Sequence, residues 1–265
     1  MSDTRLALVR PPGPRLHEGL VTHIDRVPVD LNLARSQWQH YVDAMQDQGW
    51  QTIDVLANDE CPDAVFVEDA VVVFRNVAVI THPGAPSRRP ETEAVEHSVR
   101  SLGYSINRIS EPGTLDGGDV LKVGDTIYVG RGGRTNGAGI HQLRSILEPL
   151  GAAVIAVPLS KVLHLKSAVT ALPDGTIIGY APLVDDPGFF PHFLEVPEES
   201  GAHVVDLGDG NLLMAADCPK SAELFHELGY RTICVDISEF QKLEGCVTCL
   251  SVRLRGLRSA PGFHT

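Results

Sequence analysis

One phrase recurs five times along this chain: a helix-like stretch, a glycine, then an alternating apolar run. The copies are Met45 to Val55 around Gly49, Arg100 to Ile109 around Gly103, Glu148 to Val157 around Gly151, Glu198 to Leu207 around Gly201, and His226 to Val235 around Gly229. Each glycine falls where a helix would end, because glycine enters the left-handed cap conformation without a Cβ clash. The run after each glycine reads as a strand. Self-similarity at such a period marks repeated units that bury their apolar faces only against one another, which narrows the choice of folds sharply.

Between the phrases lie pairs of strand-like runs, such as Ala64 to Phe74 with Val77 to Thr81, and Asp119 to Val123 with Thr126 to Val129 across a Gly124-Asp125 turn. Each module therefore reads strand, strand, helix, strand. The glycine spacings of 54, 48, 50 and 28 make the fourth module abbreviated. One module is left for the chain ends to share: Cys249 to Arg255 from one, and Arg5 to Arg10 with a helix over Asn32 to Asp47 from the other. Pairing the ends closes a ring. The expected fold is α/β and a single domain over residues 1–265, with helices outside, strands inside and loops converging centrally. A mixed α/β sandwich is the alternative, and the five copies favour the ring.

Charge and composition exclude several roles. Against 34 acidic residues stand 22 Lys and Arg, a net charge of -12 that disfavours nucleic acid and favours approach by a cationic ligand. No stretch nears the ~20 apolar residues of a membrane helix, and Met1 to Arg10 lacks a cleavable leader pattern. Five cysteines, an odd number in a chain with ample apolar residues for a core, point to reduced thiols and a cytoplasmic location.

Polar groups set among apolar runs are the candidates for chemistry. Asp63, Glu68 and Asp69 surround Val65 to Val67; burying such carboxylates costs several kcal/mol without a partner, so they either meet a cation or act as solvated turn and cap residues. Asp116 and Asp119 flank Gly117-Gly118, which read as a hairpin turn or as backbone that another group approaches closely. His164 enters an apolar run, as a core histidine or a general acid/base. Cys246-Val-Thr-Cys249 lacks the second ligand pair of a zinc site, and a thioredoxin-like redox pair would open a helix, whereas Leu-Ser-Val-Arg-Leu comes next. A lone catalytic cysteine remains, the other four reading as buried inert thiols. Arg88 and Arg134, in loops rich in Pro or Gly, suit a carboxylate ligand, while Arg89 and Arg131 read as surface residues.

Taken in order, Pro62-Asp-Ala-Val-Phe-Val-Glu-Asp69, Pro83-Gly-Ala-Pro-Ser-Arg-Arg89, Leu115-Asp-Gly-Gly-Asp-Val-Leu121, Arg134-Thr-Asn136, Leu163-His-Leu-Lys-Ser167 and Cys249-Leu-Ser-Val resemble the dimethylarginine dimethylaminohydrolases of the guanidine-modifying pentein superfamily. The resemblance implies a five-bladed α/β propeller, which agrees with the repeat. It implies Cys249 as nucleophile, His164 as general acid/base, Asp116 as the acid orienting it, and Asp69 supported by Glu68 as the guanidinium-binding acid. Asp63 and the carbonyls of Leu20 and Leu243 would receive an α-amino group, Arg88 and Arg134 an α-carboxylate, and Pro11 to His23 would form a lid. Glu244 stands where relatives often carry Asp, and His82 where many carry Arg. The implied reaction is hydrolysis of Nω-methylated arginine, a small cationic amino acid, to citrulline and an alkylamine. It needs no metal or organic cofactor, although a vicinal thiolate and imidazole could take up zinc as an inhibitor. An arginine or agmatine deiminase is the nearest rival, opposed by the absence of room for an inserted helical region and by the two carboxylate-binding arginines. A noncatalytic ribosome-binding pentein is opposed by the joint presence of Cys249, His164 and Asp116. A homodimer is left open.

Overall fold

The structure is a computed structural model that describes residues 5–254. The first long apolar periodicity becomes helix α1 (Leu31–Asp47), whose residues Ala34, Trp38, Tyr41, Val42 and Met45 are buried at helical spacing. The Asp30 side chain caps it by accepting from the Asn32 and Leu33 amides. Gly49, at φ +79°, turns the chain out of it. Helices α2 (Thr92–Ser101) and α3 (Gly137–Leu147) come next, then the single turn α4 (Leu165–Ala168) and α5 (Pro219–Glu227).

The strands among the described residues are, in chain order, β1 (Leu6–Val9) and β2 (Gln51–Asp54); β3 (Val71–Phe74), β4 (Val77–Ile80) and β5 (Ser105–Arg108); β6 (Val120–Val123), β7 (Thr126–Arg131) and β8 (Ala153–Pro158); β9 (Val169–Ala171), β10 (Ile177–Gly179) and β11 (Phe193–Glu195); β12 (Val204–Gly208), β13 (Asn211–Ala215) and β14 (Arg231–Val235); and β15 (Val252–Leu254). They make five sheets of one pattern. A middle strand (β1, β4, β7, β10 or β13) runs antiparallel to one neighbour and parallel to the other. Parallel pairing requires a crossover, and α1, α2, α3 and α5 supply four of them. The ends meet as expected, with Leu6 opposite Leu254 in β1 and β15. Arg255, expected in that strand, lies outside the described residues.

Packing joins each sheet to the next. One apolar cluster combines Leu8 and Val252 with Val71 and Ile80, a second Val72 and Val79 with Val120 and Val129, and a third Leu121 and Tyr128 with Val169 and Ile177. The largest carries Ile178 through Val205 and Leu213 back to Ala7 and Val9, which completes the circle. At its centre β3, β6, β9, β12 and β15 line a cavity of about 390 Å³.

Three sequence expectations change. Ala64 to Ala70 is not strand: the Phe66 and Asp69 amides donate to the carbonyls of Asp63 and Phe66, so this backbone is spent in tight turns before β3. The fourth sheet has no crossover helix; one-turn segments at Ala181–Leu183 and Pro187–Phe189 replace it, as proline and glycine at those turns dictate. Gly201 caps no helix and instead lies in a short 3-10 turn leading towards β12, where a Cβ would sit 2.1 Å from Ser221 Oγ. The glycine marks a close approach, so the fourth phrase is out of phase with the real repeat.

Candidate active site

The residues with chemical potential occupy equivalent places in different blades, in the turn just ahead of the innermost strand. Asp69 lies in the 3-10 turn before β3, Asp116 precedes the Gly117–Asp119 turn before β6, His164 precedes α4 and β9, and Cys249 ends a tight turn before β15. The fifth such position, ahead of β12, is His203. Pseudosymmetry thus gathers residues far apart in sequence.

His164 is buried with Nε2 3.0 Å from Asp116 Oδ2 and 3.9 Å from Asp69 Oδ1. Asp116 is fixed in turn: its Oδ1 accepts the Gly84 amide at 2.8 Å, its Oδ2 faces Arg134 Nη1 at 3.3 Å, and its own amide donates to Thr135 Oγ1. The Gly118 amide donates to Asp69 Oδ1 at 2.7 Å, and a Cβ there would lie 2.7 Å from both that oxygen and His164 Nδ1. The Gly-Gly pair therefore permits a close approach, the second of the two readings open from sequence. Asp119, to which the sequence assigns no role in the site, accepts the Leu165 amide at 3.0 Å and so anchors the turn behind His164.

Electrostatics arise from this crowding. Burial would lower the His164 pKa, but Asp69, Asp116 and Asp119 outweigh it and push it up to about 9. Against burial, the His164 and Arg88 cations hold Asp69 well below the usual carboxylate range. Burial pushes Asp119 up to about 6. Asp69, Asp116 and His164 bring ligand atoms within 4.8 Å of one another. Both carboxylates already accept from arginine, however, so the donor set suits an imidazolium better than a metal ion.

Leu20, Asp63, Asp69, Arg88, Arg134, Leu243 and the two catalytic candidates His164 and Cys249 all line one cavity of about 20 Å³, room for about one water molecule. The Pro11 to His23 segment borders it: the Leu20 amide donates to both oxygens of Asp63, at 3.0 and 3.2 Å. Glu244, at φ +59°, accepts the amides of Thr22 and His23.

Two expected ligands stand differently from the sequence reading. Glu68 turns its carboxylate away from Asp69 to Lys166 at 2.6 Å and Arg253 at 3.2 Å, on the side of the central cavity, because those cations lie behind the turn. Arg88 is buried with all three guanidinium nitrogens engaged, by Glu91, Asp69 and the carbonyls of Asp63 and Phe66. Its partner Glu91, which sequence reasoning misses, holds it there from three residues away, and an acid at that spacing from a basic residue is the available signal. Arg89 and Arg131 are at the surface, as expected.

All five cysteines are free, and Cys234 is exposed rather than buried. Cys249 Sγ lies 3.3 Å from Cys246 Sγ. Their shared hydrogen bond, reinforced by burial and by the Glu68 and Asp69 charges, holds Cys249 well above the ordinary thiol range. The same bond, against burial and with help from His203, holds Cys246 well below it.

No protein-family model matches the chain. Over 254 residues it is 68% identical to the N(G),N(G)-dimethylarginine dimethylaminohydrolase of Streptomyces coelicolor, covering 96% of this chain and 98% of that protein. The chain belongs to the dimethylarginine dimethylaminohydrolase family. The family enzyme from Pseudomonas aeruginosa, solved as a cysteine-to-serine variant complexed with citrulline, matches with a TM-score of 0.89 at 36% identity, covering 96% of this chain and all of that one. The N-terminal domain of the cyanobacterial arginine dihydrolase ArgZ shares the fold at 18% identity, with a TM-score of 0.79 over 94% of this chain and 97% of that one. The five sheets are thus the blades of a pentein. No helix among the described residues is long and apolar enough to cross a membrane.

Proposed function

We propose that this protein hydrolyses Nω-methylated arginines, asymmetric dimethylarginine and monomethylarginine, to citrulline and dimethylamine or methylamine, through a covalent intermediate on Cys249. The supporting observation is a cysteine and a carboxylate-held imidazole lining one acid-rich cavity in a chain of this family. We assign the work to one catalytic domain, residues 1–265, and to the cytoplasm, where five unpaired thiols stay reduced.

The charges define the steps. The resting Cys249 thiol is neutral, and the entering guanidinium, received by Asp69, favours its thiolate while the thiol proton passes to solvent water. The thiolate adds to the central guanidinium carbon. His164, protonated at neutral pH, passes a proton to the alkylamine nitrogen as its bond to carbon breaks, a step of the kind worth ~10² to 10⁴ in rate. A cationic thiouronium remains with neutral His164, which takes a proton from the attacking water. Collapse breaks the carbon–sulfur bond, the hydroxyl proton returns to Cys249, and citrulline is free. No cofactor enters these steps. Asp63, with the carbonyls of Leu20 and Leu243, takes the α-amino group. Arg134 takes the α-carboxylate, and Arg88, expected to share that role, instead holds Asp69 and the Asp63 carbonyl in place.

Purified protein given asymmetric dimethylarginine should yield citrulline and dimethylamine in equal amounts. Ammonia from arginine, with no turnover of the methylated substrates, would instead identify an arginine deiminase.

A further inference from the structure

We propose that Cys246 and Cys249 form an oxidation site, at which a hydroperoxide converts the two thiols into an intramolecular disulfide and halts hydrolysis until a thiol reductant restores them. The two sulfurs already stand 3.3 Å apart, and the Cys249 amide donates to the Cys246 carbonyl at 3.1 Å, so one turn presents both. A bond of about 2.05 Å needs only a modest closing movement from there. Cys249 lines the cavity and Cys246 lies behind it, the order expected of an attacked thiol and a resolving one. Thr248 Oγ1 and the nearby His203 favour charge on the Cys246 sulfur, which suits it to the second step. Cys61 and Cys218, by contrast, donate to the carbonyls of Ser87 and Ala215.

The steps balance. The charged Cys246 sulfur takes the Cys249 thiol proton across their hydrogen bond, the Cys249 thiolate attacks the terminal oxygen of the hydroperoxide, the O–O bond breaks, and the alkoxide (hydroxide, from hydrogen peroxide) departs as the alcohol (water) with a proton from solvent. Cys249 is left as a sulfenic acid. Cys246 sulfur attacks the Cys249 sulfur, the S–O bond breaks, and hydroxide leaves as water with the proton of Cys246. Two thiols lose two electrons in all, and the peroxide oxygens gain them. The second thiol confines oxidation to a state that dithiol exchange reverses, whereas an unaccompanied sulfenic acid proceeds to irreversible sulfinic acid.

The halting of hydrolysis rests on Cys249 being the nucleophile; formation of the disulfide does not. The full-length protein is treated with graded hydrogen peroxide, its remaining thiols are alkylated after denaturation, and the tryptic peptide Leu243 to Arg253, which holds both cysteines, is weighed. The expected peptide is lighter than the dithiol by two hydrogens, rises in proportion to lost activity, and disappears with recovery of activity on adding dithiothreitol. Cys246→Ser protein should instead accumulate a peptide carrying two or three extra oxygens that dithiothreitol does not reverse. Wild-type peptide carrying added oxygen without the two-hydrogen loss would overturn the oxidation site. Full disulfide with unchanged hydrolysis would overturn the halt, and with it the assignment of Cys249 as nucleophile.

Discussion

Arg88 Nη1 stands 2.6 Å from Asp69 Oδ2, so the acid suited to a substrate guanidinium already holds one belonging to the protein. The pair is buried, with Glu91 completing the cage at 2.8 Å. Ionised Asp69 is therefore maintained without substrate, and its Oδ1 is oriented by Gly118.

Removing this cation strands two buried acids. Arg88→Met should cost about 3–5 kcal/mol of stability, measured by urea unfolding, whereas Arg89→Met, whose exposed side chain reaches Glu111 at 3.4 Å, should change it by at most about 1 kcal/mol. Equal effects at both positions would refute the buried cage.

Gly118→Ala places a methyl group where Asp69 Oδ1 and His164 Nδ1 each stand 2.7 Å away. Relieving that contact by moving the imidazole about 1 Å should lower kcat about 10²-fold. Circular dichroism would verify the fold, and an unaltered kcat would show that the histidine position is not critical.

The raised pKa of His164 also makes stability depend on pH. Protonation is favoured in the folded state, so its contribution is complete below the ordinary value of 6.5 and is lost as pH rises to about 9. Urea midpoints measured across that interval should fall. In Asp116→Asn, which removes one of the acids responsible, the decline should be shallower; an identical slope would exclude His164 as its source.

Arg134 makes a single hydrogen bond among the described residues, to Asp116, and its side chain is 11% exposed. Arg134→Met should chiefly raise KM for dimethylarginine and erode discrimination against agmatine, which lacks a carboxylate. Steady-state kinetics with both compounds decides this; an unchanged KM would place the carboxylate elsewhere.

The ring is legible in the sequence because four of its glycines carry a conformational demand that no other residue meets cheaply: Gly49, Gly103, Gly151 and Gly229 all have φ between +79° and +90°. Gly201 imitates them in sequence while answering to Ser221, a contact from another part of the chain. Side-chain direction is less legible. Glu68 and Asp69 are adjacent, yet the tight turn sends one carboxylate to Lys166 and the other to Arg88. Cys246 reads as inert because its surroundings lack a redox helix; the turn that brings it to Cys249 is visible only in three dimensions.

The pairing of β1 with β15 also bears on how the enzyme comes into being. Leu6 is synthesised well before its partner Leu254 and waits for it, and Cys249 is added only shortly before that partner. Such distant contacts close slowly. A nascent chain can therefore complete several blades before Cys249 is added. With Cys249 proposed as the nucleophile, activity and ring closure would both depend on the short stretch from the Cys246–Cys249 turn into β15, so the appearance of activity on refolding should serve as a clock for the final pairing.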